Sequence, residues 1–203
     1  MCGQDTDLRR TLVRNRGYKY IIKRRQEGYW LFCVNAIWIN LILKEHGIRP
    51  RDFRQLTWKE LAEAQDSAFG RRLFLEFKPR NFWQMADTLA LKYVSYDLEK
   101  GSRLYEQEWF LRYPLFAQED VYELLRDSGL RQEDAIRIME VVRRGQCGTD
   151  LKWREFIELY DVPEEMLEAF SRCVYLPPRE KVVEDLLDVI SQAIRCKARG
   201  KMD

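Results

Sequence analysis

Pairs of acidic residues recur along the chain, and paired carboxylates can bind the two divalent metal ions that assist phosphoryl transfer. Each pair, however, lies in or beside an amphipathic helical pattern, where acidic side chains favour the first turn or face solvent. No phosphate-binding glycine loop, nucleophile elbow or H-E-x-x-H motif accompanies them. The sequence therefore predicts no metal site, no cofactor and no catalytic residue, and we expect that the isolated chain is not an enzyme. The pairs are Glu119-Asp120, Glu133-Asp134, Glu164-Glu165 and Glu184-Asp185.

The cysteines and the histidine also indicate no metal site. The five cysteines are odd in number and scattered, and no C-x-x-C spacing occurs. A zinc site needs closer pairs or several histidines, whereas His46 is the only histidine and precedes Gly47 at an expected helix end. We interpret the cysteines as reduced thiols of a cytoplasmic protein. They are Cys2, Cys33, Cys147, Cys173 and Cys196.

Basic residues offer a different chemistry, the neutralisation of phosphates. Arg143 and Arg144 fall in the last turn of an amphipathic pattern that Gly145 ends, and cations suit the negative end of a helix dipole. A second such pattern precedes it, and Gly129 separates the two. Residues Val121–Gly145 are therefore predicted to form two short helices joined as a hairpin with a basic exit. The apolar stripes are Val121, Leu124 and Leu125, then Ala135, Ile136, Met139 and Val142.

Several segments in and around this hairpin form an ordered series. The hairpin carries Gly129-Leu130, Ala135–Glu140 and Val142–Gly145, which is close to G-L-x-P-x-x-A-F-K-I-M-E-x-V-R-K-G-K-G. The flanking segments are Phe69-Gly70 and Lys78–Phe82 before it, and Trp153, Val162-Pro163, Tyr175 and Pro178-Arg179 after it. In this order, over about residues 68–179, the chain resembles the fingers region of the PolC-type bacterial replicative DNA polymerase III alpha subunit.

The resemblance implies a helical, fingers-like protein that binds DNA or the replication proteins of a replication complex. The metal-binding palm that precedes the fingers in that family has no counterpart here, which implies a non-catalytic chain. Glu180–Asp185 stand where the family continues A-H-A-A-A-Y, and Gln146 and Cys147 replace its second lysine and glycine. Positive charge at helix ends and turns can neutralise phosphates without reading sequence. The candidate nucleic-acid contacts are Arg131, Arg137, Arg143, Arg144, Lys152 and Arg179.

Helical periodicity dominates the chain and convincing strand alternation is lacking, so the predicted class is all-α, a compact multi-helix domain with short helical hairpins. Residues 1–65 are expected to hold a basic N-terminal segment and an apolar helix, and residues 66–203 the fingers-like domain. One continuous domain is the alternative. The apolar helix is placed at Tyr29–His46, and its core of about 15 residues is shorter than the roughly 20 of a membrane span, so no membrane partner is expected. Thr57 with Glu60, and Asn81 with Gln84, predict capped helix starts.

Composition leaves the choice of partner open. The chain is 46% hydrophobic and 33% charged, a globular balance, and its net charge of +2 provides no overall basic field. DNA binding must therefore rest on a local patch, and the arginines can equally be ordinary surface residues. Basic residues between Arg9 and Arg25 are interleaved with Tyr18, Tyr20, Ile21 and Ile22, which suits phosphate and base contacts or, alternatively, a solvated helix face.

Two further functions stay open beside the DNA-binding one. A helical protein-interaction or regulatory module of a mobile element, with no nucleic-acid role, would meet its partner through the apolar C-terminal stripe or through Trp30, Trp38 or Trp109. The third is a polymerase subunit that a separately encoded palm completes. None of these three functions predicts an oligomeric state. The C-terminal stripe consists of Val182, Val183, Leu186, Leu187, Ile190, Ala193 and Ile194.

Overall fold

The protein is described by a computed structural model that covers residues 19–25, 28–98, 103–147, 153, 157–160 and 162–200. Its contacts divide the chain into two compact units. The central unit comprises residues 93–179, and the terminal unit comprises residues 19–92 together with 180–200. The division predicted from sequence, at residue 65, stays a prediction. Residues 1–18 of the predicted basic N-terminal segment lie outside the described residues.

The terminal unit begins with an antiparallel β-hairpin and continues with helices. Strand β1 pairs with β2 in a regular register that runs from Lys19 opposite Val34 to Arg25 opposite Gly28. The elements of this unit are β1 (Lys19–Arg25), β2 (Gly28–Val34), α1 (Ala36–Glu45), α2 (Pro50–Arg54), α3 (Trp58–Glu63), α4 (Ala68–Phe77) and α5 (Phe82–Ala90). The last helix, α10 (Arg179–Ala198), belongs to this unit from Glu180 onward.

The strands correct two sequence-based predictions. The chain is mostly helical, with ten α-helices among the described residues, but two small two-stranded sheets mean that all-α is too narrow a class. The helix predicted at Tyr29–His46 begins only at Ala36, because the Asn35 side chain accepts hydrogen bonds from the amides of Ile37 and Trp38, at 3.0 and 3.2 Å. The aromatic residues before Asn35 favour a pleated strand instead.

Local capping is confirmed where the sequence predicted it. The Glu60 amide donates to Thr57 Oγ1 at 3.3 Å and the Thr57 amide donates to Glu60 Oε2 at 2.6 Å, which completes a capping box at the start of α3. At the start of α5 the Gln84 amide donates to Asn81 Oδ1 at 2.9 Å. The residues of the C-terminal stripe from Val182 to Ala193 are buried, as their helical spacing indicated.

The central unit is built around a helical hairpin and a short sheet. Strands β3 and β4 pair antiparallel, and a 3₁₀ turn at Leu104–Glu106 precedes the helices. The elements of this unit are β3 (Ser95–Tyr96), α6 (Glu108–Arg112), α7 (Gln118–Asp127), α8 (Gln132–Val142), α9 (Glu164–Ser171) and β4 (Cys173–Tyr175). Among the described helices of the whole chain, none combines the length and the apolarity that crossing a bilayer requires.

Candidate nucleic-acid interface

The helical hairpin predicted at Val121–Gly145 is confirmed as α7 and α8. Gly129 adopts φ +90°, a left-handed conformation that glycine takes without strain, and it ends α7. The Leu130 amide then donates to the Leu125 carbonyl at 3.1 Å and closes the turn. The side chains that hold the two helices together are buried, among them Val121, Leu125, Ala135, Met139 and Val142.

The exit of the hairpin packs directly against β4. Gly145 has φ +66°, and a Cβ placed on it would lie 2.5 Å from the Val174 carbonyl oxygen and 2.9 Å from the Val174 Cα. The Leu176 amide donates to the Arg143 carbonyl at 3.2 Å on the same side. Only glycine fits this close approach of two backbones, so the end of α8 is held in one position.

The two arginines at this exit share one carboxylate. Arg143 donates through Nε and Nη2 to the two oxygens of Glu140, each at 2.9 Å, and Arg144 Nη2 donates to Glu140 Oε2 at 2.8 Å. The Arg143 side chain is 21% exposed and that of Arg144 47%. Arg144 therefore projects into solvent, whereas Arg143 lies half-buried along the helix.

The other end of α8 carries Arg131, with Arg137 between. Arg131 Nε donates to Asp134 Oδ2 and the Tyr160 hydroxyl donates to Asp134 Oδ1, both at 2.9 Å. These two donors, the tyrosine first, hold the pKa of Asp134 below its ordinary value. The carboxylate in turn raises the pKa of Arg131. The side chains of Arg131 and Arg137 are both exposed.

Arg179 is a correction to the predicted contacts, because its side chain is only 2% exposed. Its Nη1 donates to Glu123 Oε1 at 2.7 Å, its Nη2 donates to Asp120 Oδ1, and its amide donates to Glu119 Oε2 at 2.8 Å. A guanidinium enclosed by these carboxylates is a structural group and does not reach a phosphate. Lys152, the remaining predicted contact, lies outside the described residues.

The acidic pair Glu119-Asp120 has a role that the sequence did not suggest. Asp120 accepts from the Phe116 and Ala117 amides at 2.8 Å, as an acidic residue in a first helical turn commonly does. Glu119 is fully buried, and both residues bind Arg179, 60 and 59 residues further along the chain. In the part of the chain that the structure describes, no group of three or more potential ligands is placed to hold a metal ion.

The aromatic residues named for a protein partner lie in different environments. Trp30 is exposed, Trp38 is partly exposed, and Trp109 is buried in the central unit. Two of the cysteines, Cys147 and Cys173, are buried, and burial raises the pKa of the Cys147 thiol to about 12. Thiols with such a raised pKa stay protonated and are poor nucleophiles.

The candidate contacts that the structure brings together are Arg137, Arg143 and Arg144 on α8, with Arg131 at the start of the same helix. Comparisons of the chain with protein-family models and with curated proteins give no significant match. The interface therefore rests on the geometry of α8 and on the sequence resemblance.

Proposed function

We propose that this chain is a non-catalytic protein of the polymerase III fingers type that binds DNA or a replication complex through α8. The observation that supports the proposal is the charge at the end of this helix. Arg143 and Arg144 share one carboxylate, that of Glu140, and Arg137 lies one turn earlier, so positive charge exceeds negative charge over the last two turns. A local excess of this kind attracts phosphates even though the whole chain is nearly neutral.

The spacing of these residues places them on one face of α8. Arg137, Glu140 and Arg144 recur at i, i+3 and i+7, the positions that line one side of a helix. Arg137 lies on α8 and Arg144 lies in the turn that follows Val142, roughly 10 Å away along the helix axis. A backbone of nucleic acid that follows this face meets one arginine at each end.

Glu140 orients the arginines without using all their donors. A guanidinium carries five N–H donors, and the contacts with Glu140 involve two nitrogens of Arg143 and one of Arg144. The remaining donors can bind phosphate oxygens, in the bidentate manner that arginine favours. Because the arginines are already held, less side-chain freedom is lost when the phosphate binds.

Salt-dependent binding to duplex and primer-template DNA tests the proposal. The double variant Arg143→Ala, Arg144→Ala should weaken binding to all sequences alike and lower the salt slope by up to about two, near one for each lost phosphate contact. Arg172→Ala is the matched control, because Arg172 also follows a helix end and pairs with a glutamate one turn back, Glu168, at 3.4 Å. An unchanged slope in the double variant, or an equal loss in the control, would contradict the proposal.

A gain of binding provides a test that unfolding cannot imitate. Glu140→Gln removes the carboxylate that competes with phosphate for Arg143 and Arg144, so binding should tighten and the salt slope should become steeper. Weaker binding in this variant, with an unchanged circular dichroism spectrum, would count against the α8 site.

The non-catalytic part of the proposal is tested separately. The chain has no segment that resembles the palm of the family, so we expect no nucleotidyl transfer by the pure protein with magnesium and a primed template. Primer extension that a point substitution in this chain abolishes would overturn this part. Extension that appears only with a co-purified second chain would instead support a polymerase subunit completed by a separate palm.

A protein-interaction module without a nucleic-acid role is the second candidate, and one observation favours it. Ile37 and Leu41 lie one turn apart on α1 and both are exposed, Ile37 at 69%. Exposed apolar residues that are neighbours on a helix are typical of protein contacts. If this candidate is right, the chain does not bind DNA, and Ile37→Asp with Leu41→Asp abolishes a protein complex that cross-linking of the parent detects.

A further inference from the structure

The β1–β2 hairpin of the terminal unit presents aromatic and basic side chains on one face. Lys23 lies directly opposite Trp30, and Ile21 lies directly opposite Phe32. Directly opposed residues of an antiparallel pair project from the same side of the sheet. Lys23, Trp30 and Phe32 therefore share a face, which we call the hairpin face.

The two rings of the hairpin face are accessible to a ligand. Trp30 is 51% exposed and Phe32 is 39% exposed, although large aromatic side chains usually lie inside a fold. The rings are two residues apart on one strand, so their attachment points are about 7 Å apart along the strand. Ile21 and Val34 on the same face are buried, so the exposed part of this face is the end that carries the two rings. Neighbouring exposed rings on a sheet are the arrangement on which successive unpaired bases stack.

The charge near these rings favours an anionic ligand. Lys23 Nζ lies 5.9 Å from the centroid of the Phe32 ring, and Glu180 binds the same ammonium group and so holds it beside the ring. Arg24, the next residue along β1, is exposed on the opposite face of the hairpin. Strands β1 and β2 together carry four lysines and arginines and no acidic residue. An apolar protein partner would gain nothing from this excess, whereas a phosphate backbone is attracted by it.

We propose that the hairpin face is a binding site for single-stranded nucleic acid, whose bases stack on Trp30 and Phe32 while its phosphates lie beside Lys23. A duplex cannot use the rings in this way, because its bases are already stacked and paired. The site deepens the proposed function and rests on it, since it adds single-strand recognition by the terminal unit to the phosphate contacts of α8. It uses none of the residues of α8.

The test compares substitutions that remove the aromatic ring with one that retains an aromatic ring. The full-length protein is titrated into a fluorescent oligothymidylate of about 20 nucleotides and into a duplex of equal length, and anisotropy is measured. Trp30→Leu and Phe32→Leu should each weaken single-strand binding by roughly fivefold or more, the lower end of what one stacked base contributes. Trp30→Phe should retain most of the affinity. Duplex binding should be unchanged in all three variants.

Ile37→Ala is the matched control, because Ile37 is also an exposed large apolar residue of the terminal unit but has no ring. It should bind the single strand as the parent does. Thermal unfolding checks that each variant is folded, and the comparison of Trp30→Leu with Trp30→Phe keeps the test decisive even if removal of the indole lowers stability. Equal losses in these two variants, or full affinity in both leucine variants, would overturn the proposal. A loss in Ile37→Ala as large as in the leucine variants would overturn it too, because the loss would then not depend on an aromatic ring.

The failure of this inference can be told from the failure of the proposed function. If the leucine variants bind the single strand normally while Arg143→Ala, Arg144→Ala weakens duplex binding, the hairpin face is wrong and the α8 site stands. If the parent binds neither ligand, both are wrong. If only the hairpin variants lose affinity, the single-strand site stands and the α8 site is wrong.

Discussion

Replacement of Gly145 by alanine is expected to destabilise the central unit more than the same change at any open turn. Gly145 is the point where the end of α8 meets β4, and its φ of +66° is a conformation that other residues rarely adopt. Gly129, in the turn between α7 and α8, also has a positive φ, of +90°, but an added Cβ there would meet no atom within 4 Å. The two glycines thus separate the effect of backbone conformation from the effect of close packing.

The magnitude follows from these two contributions. A left-handed conformation costs an alanine about 1–2 kcal/mol, and this cost applies at both positions. At Gly145 the new Cβ would also lie 2.5 Å from the Val174 carbonyl oxygen and 3.0 Å from the Val174 carbonyl carbon, both backbone atoms that cannot rotate away. Forced displacement in a packed region costs about 1–3 kcal/mol. We therefore expect Gly129→Ala to cost about 1–2 kcal/mol and Gly145→Ala about 2–5 kcal/mol.

Urea-induced unfolding, followed by circular dichroism, measures both variants against the parent. The useful quantity is the difference between the two alanine variants, because any effect of alanine on the unfolded chain is common to both. A second consequence is local. The Leu176 amide bonds to the Arg143 carbonyl at 3.2 Å, so displacement of β4 should speed hydrogen exchange at Leu176. If Gly145→Ala is no more destabilising than Gly129→Ala, the close approach of α8 and β4 does not exist as described.

Three other predictions follow from buried or paired groups. Arg179→Leu should destabilise the protein by about 3–5 kcal/mol in urea, because it leaves buried carboxylates without their guanidinium, whereas Arg172→Ala, at an exposed pair, should cost under about 0.5 kcal/mol. Iodoacetamide at pH 8, followed by peptide mass mapping, should alkylate the exposed Cys33 and leave the buried Cys147 unmodified, and fast labelling of Cys147 would contradict its burial. The pKa of Asp134 is lowered in the folded state, so the stability that the ionised carboxylate contributes is fully present above its unfolded pKa of 3.8. This contribution is lost as the pH falls through the folded pKa. The urea midpoint of Asp134→Asn should therefore fall less between pH 6 and pH 3 than that of the parent.

Local signals in the sequence were sufficient for the helical hairpin and for the caps. Gly129 and Gly145 mark helix ends because left-handed backbone favours glycine, and Thr57 and Asn81 mark helix starts because their side chains bind free amides. Both kinds of signal act over three or four residues and need no knowledge of the rest of the fold. They therefore predicted α3, α5, α7 and α8 correctly from spacing alone.

The β-hairpin was missed because a continuous apolar run carries no period that separates a strand from a helix. The apolar run predicts one helix over Tyr29–His46, which places Asn35 in its interior. In the structure Asn35 is the N-cap of α1 and separates that helix from β2. Two features of the sequence indicate this helix start: Asn35 directly precedes an apolar helical pattern, and aromatic residues that favour a strand precede Asn35.

Arg179 shows why part of the site could not be predicted, and it limits what the resemblance implies. The resemblance placed this residue among the DNA contacts because it matches a basic position of the fingers family. Its binding partners, Asp120 and Glu123, lie 59 and 56 residues away along the chain, so no local sequence pattern predicts that the Arg179 side chain is buried. A basic residue can bind buried carboxylates as well as it can bind a phosphate. The match at Pro178-Arg179 therefore argues for a similar helical frame, while the argument for nucleic-acid binding depends on the arginines whose side chains reach solvent, above all Arg137 and Arg144.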